Sequence, residues 1–161
     1  MSDFRLAMRG LCQTVGIVTT VDRGQCRGMT ASSITSVSMD PPSVLVSVNK
    51  DASIHSAITS SRRFSVNFLS DVQEDLSRIF SSEIPGEERF LHGEWVKEDG
   101  CPPELVGALS VISCDLETTS TFATHTIFLG CVRTVRLSNA GYPLVYMQGR
   151  YHPLREKGAA A

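Results

Sequence analysis

The chain has 161 residues, of which 42% are apolar and 20% charged, and a formal net charge of -2. That length supports one substantial hydrophobic core rather than two. The mixed charge, with no run of one sign, excludes a large electrostatic surface for nucleic acid or an anionic membrane.

No apolar run is long enough to cross a bilayer. The opening residues MSDFRLAMRG carry both signs of charge and lack the apolar segment of a signal peptide, so a cytoplasmic protein is expected. The five cysteines, Cys12, Cys26, Cys101, Cys114 and Cys131, are odd in number, and no two stand at CxxC spacing. Neither a disulfide framework nor a zinc site is expected, and no other metal site; the thiols read as reduced and mostly buried. Residues 1–154 read as one domain. Residues 155–161, ending in EKGAAA, read as a flexible tail.

In chain order, Val15 to Val21 is β-branched and stops at the turn residues Asp22-Arg23-Gly24, which predicts a strand. Thr30 to Ser38 predicts a second, broken by Asp40-Pro41-Pro42 because proline cannot donate a ladder hydrogen bond. Ser43 to Val48 is an apolar run suited to burial on both faces. Two short helices follow, over Ser53 to Ser61 and about Asp71 to Phe80, with the strand Phe64 to Leu69 between them. Ser70 with Gln73, or Asp71 with Glu74, supplies a capping box, and Val72, Leu76, Ile79 and Phe80 share one helical face.

The polar stretch Glu83 to Pro103 predicts a long loop. Three closing strands are expected over Leu109 to Thr118, Ile127 to Leu137 and Leu144 to Tyr151, with a turn at Asn139-Ala140-Gly141. Many strands and few helices point to a β-barrel with helical decoration. The absence of alternating βα units and of GxGxxG disfavours a Rossmann fold.

The segment Gly28 to Val48, GMTASSITSVSMDPPSVLVSV, is the most informative. Six of the nine residues from Thr30 to Ser38 bear hydroxyls, and the segment is nearly uncharged. Serine is a poor strand residue. A neutral, hydroxyl-rich, extended segment suits a polar ligand that needs donors and acceptors at fixed spacing.

This segment closely resembles the signature of the flavin reductase-like family, the short-chain NAD(P)H:flavin oxidoreductases. Further landmarks follow in order: RRFSVNFL at Arg62 to Leu69, the helix positions Gln73, Leu76 and Phe80, the pair Arg89-Phe90, HTIFLG at His125 to Gly130, and Gly149-Arg150-Tyr151. The resemblance runs from about Met8 to Pro153. It implies a mainly β fold: an antiparallel, Greek-key-like split β-barrel that binds FMN, with a few short flanking α-helices.

It also implies roles. Thr30, Ala31, Ser32 and Ser33 are expected near the ribityl–phosphate arm of FMN or FAD. Ser36, Val37 and Ser38 approach the ring through backbone groups, and Ser47, Val48 and Asn49 flank it. Ser53 opens a helix, where free N–H groups suit a phosphate, unless it is a simple N-cap. Phe80 belongs to the same cofactor set. Arg89 either neutralises phosphate or is a solvated surface arginine. Tyr151 lines the pocket or is plain core, and with Arg150 meets the pocket or a subunit contact. His125 is expected to bind the nicotinamide of NADH or NADPH; the family's usual Asp before it is Thr124 here, so a positioning role for a neutral imidazole is implied. Gln13-Thr14 departs from the family's common "TG".

The implied activity is hydride transfer from NADH or NADPH to FMN or FAD, supplying reduced flavin to a flavin-dependent monooxygenase, in a homodimer. Rival readings are a reductase with tightly held FMN that passes electrons to a corrinoid, metal chelate or protein, and a flavin-binding module without turnover.

Overall fold

The computed structural model describes residues 2–138 and 141–154. The elements are α1 (Ser2–Arg9), β1 (Gln13–Thr14), β2 (Gly16–Asp22), β3 (Gln25–Ala31), β4 (Ile34–Met39), β5 (Pro42–Asn49), α2 (Ser53–Ser61), β6 (Arg63–Phe68), α3 (Glu74–Phe80), β7 (Trp95–Val96), β8 (Glu104–Leu105), β9 (Ser110–Phe122), β10 (His125–Leu137), β11 (Leu144–Met147) and β12 (Arg150–Pro153). Seven strands form one antiparallel sheet in the order β3-β2-β6-β9-β10-β5-β4. Its two edges, β3 and β4, follow one another in the chain, yet they do not pair. This is the mainly antiparallel, split arrangement expected. Smaller sheets, β1-β11-β12 and β7-β8, flank it.

The sheet buries apolar side chains on both faces. Val18, Val46, Val48, Phe64, Val66 and Phe128 meet inside the curl, closed by Ile54 and Ile58 of α2. Val15, Ile17, Leu69, Phe80, Phe90 and Leu144 form a second core outside it. β2 therefore supplies side chains to both cores, and its first five residues are all buried. The sequence run expected to be buried on both faces was β5 instead. There burial alternates, with Leu45 and Ser47 only half-buried.

Buried polar groups fix the outer loop to the sheet. Asn67, fully buried, donates from Nδ2 to the Ile17 carbonyl at 3.0 Å and accepts the Leu105 N–H at Oδ1 at 2.7 Å. Thr19 Oγ1 donates to the Pro103 carbonyl at 2.6 Å. Each such bond is worth about 1 kcal/mol net, and removing one partner costs more because the other is left buried and unpaired.

Several expectations are revised. The Thr30–Ser38 strand is two strands, because the chain bends at Ser32-Ser33. The closing strand Leu144–Tyr151 is a hairpin of β11 and β12, turning at Gln148 (φ 53) and Gly149 (φ 80). The second helix begins as a 3-10 turn, Asp71–Gln73, before α3. There Gln73 Oε1 accepts the Ser70 N–H at 3.0 Å, which selects the Ser70/Gln73 pair of the two capping boxes. The Glu83–Pro103 loop holds a 3-10 turn, Glu88–Leu91, and β7. α1 and β3 were not expected. β3 contains Gly28, where a Cβ would sit 2.7 Å from the Phe80 ring. The glycine that weakens the strand signal is required by the packing above it. The cysteines are free, but only Cys114 is buried; burial pushes its thiol up to about 12. Asn139, Ala140 and the tail from residue 155 lie outside the described residues.

Candidate flavin site

The chain crosses from one sheet edge to the other at the Ser32-Ser33 bend, and the hydroxyl-rich segment sits at this seam. Thr30 Oγ1 donates to the Ser77 carbonyl at 2.7 Å, which ties β3 to α3. Ala31 is buried beneath. Ser32 Oγ donates to Gln13 Oε1 at 2.9 Å. Ser33 grips β5 twice: its Oγ donates to the Ser47 carbonyl at 2.8 Å, and its carbonyl accepts the Ser47 N–H at 3.1 Å. Ser38 Oγ donates to the Asp40 carbonyl and accepts the Asp40 N–H, both at 3.0 Å. Three of the six hydroxyls thus shape the seam and a fourth, Ser38, the turn into β5, while Thr35 and Ser36 are exposed.

The free polar groups come chiefly from backbone. β4 is an edge strand, and its register with β5 slips between Ser36 and Ser38. Val37 is the extra residue, half exposed, so its N–H and carbonyl leave the ladder. Alternating donors and acceptors along such an edge match the alternating ring nitrogens and carbonyls of an isoalloxazine. On donor chemistry the segment fits the expected group.

The neighbouring positions divide. Ser47 and Asn49 lie on the outer face, while Val48 is 0% exposed, so only its backbone faces a ligand. His125 is exposed and stands opposite Asn49; Ile127 stands opposite Ser47. Two residues of strand put His125 about 7 Å from the level of Ser33 and Ser47. Its Nδ1 shares a 2.9 Å hydrogen bond with Thr124 Oγ1. The threonine in place of the family's aspartate orients the imidazole without adding charge.

Ser53 is the first residue of α2, and the N-cap is Ala52, which has no side-chain capping bond. Ser53 is exposed at a cleft of about 440 Å³ with Gln25, Arg27 and the loop 85–88. The uncapped N–H groups of this turn are suited to an anion. Arg27, on β3, is the cation of this cleft and stands against the carboxylates of Glu87 and Glu88 on its other wall.

Phe80 and Arg89 stand away from the seam, and Tyr151 packs against the outer core, as one of its two expected roles has it. Phe80 is 1% exposed and meets Phe90 edge-on and Trp95 at a tilt, at 5.1 and 5.3 Å between ring centroids, so its ring is core. The Arg89 guanidinium donates to four carbonyls: Ile84 at 2.9 Å, Gly28 at 2.9 Å, Phe80 at 3.2 Å and Ser82 at 2.7 Å. Burial pulls its pKa below the usual value. Neither the phosphate role nor the solvated role describes that geometry. Tyr151 backs the seam: its hydroxyl bonds Ser77 Oγ at 2.9 Å, and Arg78 lies 5.0 Å over its ring.

Comparison with known proteins agrees with this architecture. The family described as "Flavin reductase like domain" matches residues 8–155. The reductase component of an FADH(2)-dependent resorcinol hydroxylase from Rhizobium sp. is 36% identical over 99% of this chain and 90% of that protein. The FMN reductase (NADH) RutF of Pantoea ananatis is 36% identical over 94% of this chain and 80% of that protein. Among solved structures, the NADH:FAD oxidoreductase SgcE6 of Streptomyces globisporus superposes with a TM-score of 0.89 at 33% identity, covering 96% of this chain and 93% of that one. With a family match over residues 8–155 and a relative 36% identical over 99% of its length, the chain belongs to the flavin reductase-like family.

Proposed function

We propose that this protein is a flavin reductase that transfers hydride from NADH to FMN or FAD and supplies the reduced flavin to a monooxygenase. The observation that carries the reading is the seam itself: a hydroxyl-rich bend joining two sheet edges, followed by an edge strand whose bulge at Val37 frees backbone groups. The relatives' names support NADH as donor, and one of them is the reductase component of a hydroxylase. A bound flavin supplies a two-electron acceptor that no side chain can supply.

The chain's own residues bind and orient. Thr30, Ala31, Ser32 and Ser33 shape the wall for the ribityl–phosphate arm. The backbone of Ser36, Val37 and Ser38 reads the ring edge, flanked by Ser47 and Asn49. Ser53 and Arg27 hold phosphate at the start of α2. His125, set by Thr124, holds the nicotinamide amide. No carboxylate pair is needed, since hydride transfer requires alignment rather than a strong acid.

The test crosses NADH and NADPH with FMN, FAD and riboflavin and follows loss of nicotinamide absorbance. FMN- or FAD-dependent NADH oxidation is expected; no oxidation with any pair would overturn the reading. Loss of flavin on gel filtration is expected for a flavin that is handed on. Five free cysteines suit the reducing cytoplasm proposed as its compartment. The proposed assembly is a homodimer. Met39 at 87% and Phe122 at 85% exposure are large apolar groups that association would cover. Sedimentation at twice the chain mass is the expected result; a monomer at micromolar concentration would refute it.

A further inference from the structure

We infer that His55 is a positioning residue. Through Thr126 and Thr121 it locks the first turn of α2 to the root of the β9–β10 hairpin, and so fixes His125 relative to the phosphate end of the flavin groove. The inference rests on the flavin reductase reading and deepens it.

His55 Nε2 and Thr126 Oγ1 share a hydrogen bond of 2.9 Å, and Thr126 Oγ1 shares another of 3.0 Å with Thr121 Oγ1. Thr126 is 3% exposed and Thr121 stands opposite it on β9, so the chain of three runs from the helix through the sheet interior to the outer strand of the hairpin. The His55 ring also meets Phe128 edge-on at 5.2 Å, which restricts its rotation.

The same region closes into a ring of short links. His125 stands opposite Asn49. The Asn49 carbonyl accepts the Ala52 N–H at 3.0 Å, and its Oδ1 accepts the Asp51 N–H at 3.0 Å. The Ala52 carbonyl accepts the His55 N–H at 2.9 Å. His55 then bonds Thr126, the residue after His125. Every link except the last is backbone, or a side chain capping its own turn. The imidazole supplies the side-chain bond that closes the ring.

The hairpin needs that closure. Its tip places Ala123 at φ 49, a region that costs an alanine energy. Beyond the β10–β5 ladder, the tip is tied back by the Lys50 N–H, which donates to the Thr124 carbonyl at 2.9 Å. Without the imidazole, the β10–β5 ladder and the buried Ile54 and Ile58 still hold α2 to the core, and the spacing between its first turn and the hairpin root loses its side-chain restraint. Ser53 lies two residues before His55 and His125 one before Thr126, so that spacing is the distance between the phosphate and nicotinamide ends of the site.

A side chain that merely fills space would be replaced by leucine without consequence for NADH. A positioning imidazole would not, and glutamine, which carries both a donor and an acceptor at similar reach, would replace it. The test uses the full chain with His55→Leu, His55→Gln and Thr121→Val. In flavin-free protein, amide exchange across residues 119–127 is expected to quicken about fivefold in His55→Leu and Thr121→Val, and to stay near wild type in His55→Gln. With FMN, the KM for NADH is expected to rise about fivefold in the first two while kcat and flavin affinity hold. Wild-type exchange and KM in His55→Leu would overturn the inference, as would a folded His55→Gln that fails to restore both. Should His55→Leu not fold, Thr121→Val decides alone: its wild-type behaviour would refute the strut. Wild-type protein that oxidises no NADH with flavin would defeat the flavin reading, and with it the role in catalysis. The exchange experiment still judges the strut by itself.

Discussion

Replacing Gly130 by alanine is expected to lower the melting temperature by roughly 6–12 °C, the equivalent of about 3 kcal/mol for a domain of this size. A Cβ at this position would lie 2.5 Å from Phe64 Cζ and 2.7 Å from Cys114 Cβ. Both neighbours are buried, and the Phe64 ring is 0% exposed in the inner core, so neither can swing into solvent. The register between β9 and β10 slips at Leu129/Gly130, where β9 carries the extra residue Glu117, so the ladder is already irregular there. The glycine of the HTIFLG run is therefore a packing requirement. Shortening the obstructing ring tests the cause: Phe64→Leu combined with Gly130→Ala should be less destabilised than the sum of the single variants, as coupled neighbours require. Thermal unfolding of the three proteins measures both effects. A Gly130→Ala midpoint within about 2 °C of wild type would refute the argument, since an unhindered glycine-to-alanine change in a strand costs little.

How much of this was legible in the sequence depends on the range over which each signal acts. α2 was placed at its observed bounds, Ser53–Ser61, because its stop is local: Arg62 takes the left-handed conformation at φ 59 and its N–H closes on the Ile58 carbonyl. The flavin-site segment was legible as a motif, but not as geometry. Six hydroxyls in nine residues read as one strand, whereas the fold spends four of them on bonds that make the bend and turns. The ligand-facing groups are left largely to backbone, which no side-chain pattern announces. β3 was missed because Gly28 answers to Phe80, a residue far along the chain. The β11–β12 turn was missed because Gln148 adopts a positive φ that glutamine does not advertise. The role of His55 has no local signal, because its partner lies 71 residues away. The motif positions of Phe80 and Arg89 mark that these residues matter, and only the fold tells whether each faces ligand or core.

Arg89→Met is expected to destabilise the protein by about 3 kcal/mol and to weaken FMN and riboflavin binding alike. The guanidinium stitches three segments through carbonyls that diverge from one another: Gly28 on β3, Phe80 at the end of α3, and Ser82 and Ile84 in the following loop. Beside them, Phe80, Phe90 and Trp95 pack edge-on or tilted with centroids 5.0–5.3 Å apart, and Gly28 admits the Phe80 and Phe90 rings by having no side chain. Methionine keeps the length and apolar stem but leaves half-buried carbonyls without their donor, each costing about 1 kcal/mol where water reaches and more where it does not. Lysine should fail nearly as badly, because one ammonium cannot span acceptors that the planar fork of arginine reaches together. The loop released by this change includes Pro85 to Glu88, the wall of the cleft beside Ser53. Binding should therefore suffer through disorder of the wall and not through a lost charge. The comparison of ligands separates these causes. If Arg89 served the phosphate, Arg89→Met would cost FMN much more affinity than riboflavin, which has no phosphate, and the melting temperature would hold. A fall in melting temperature with equal losses for the two flavins is the outcome the four carbonyl bonds require. A selective loss for FMN at unchanged stability would return Arg89 to the phosphate.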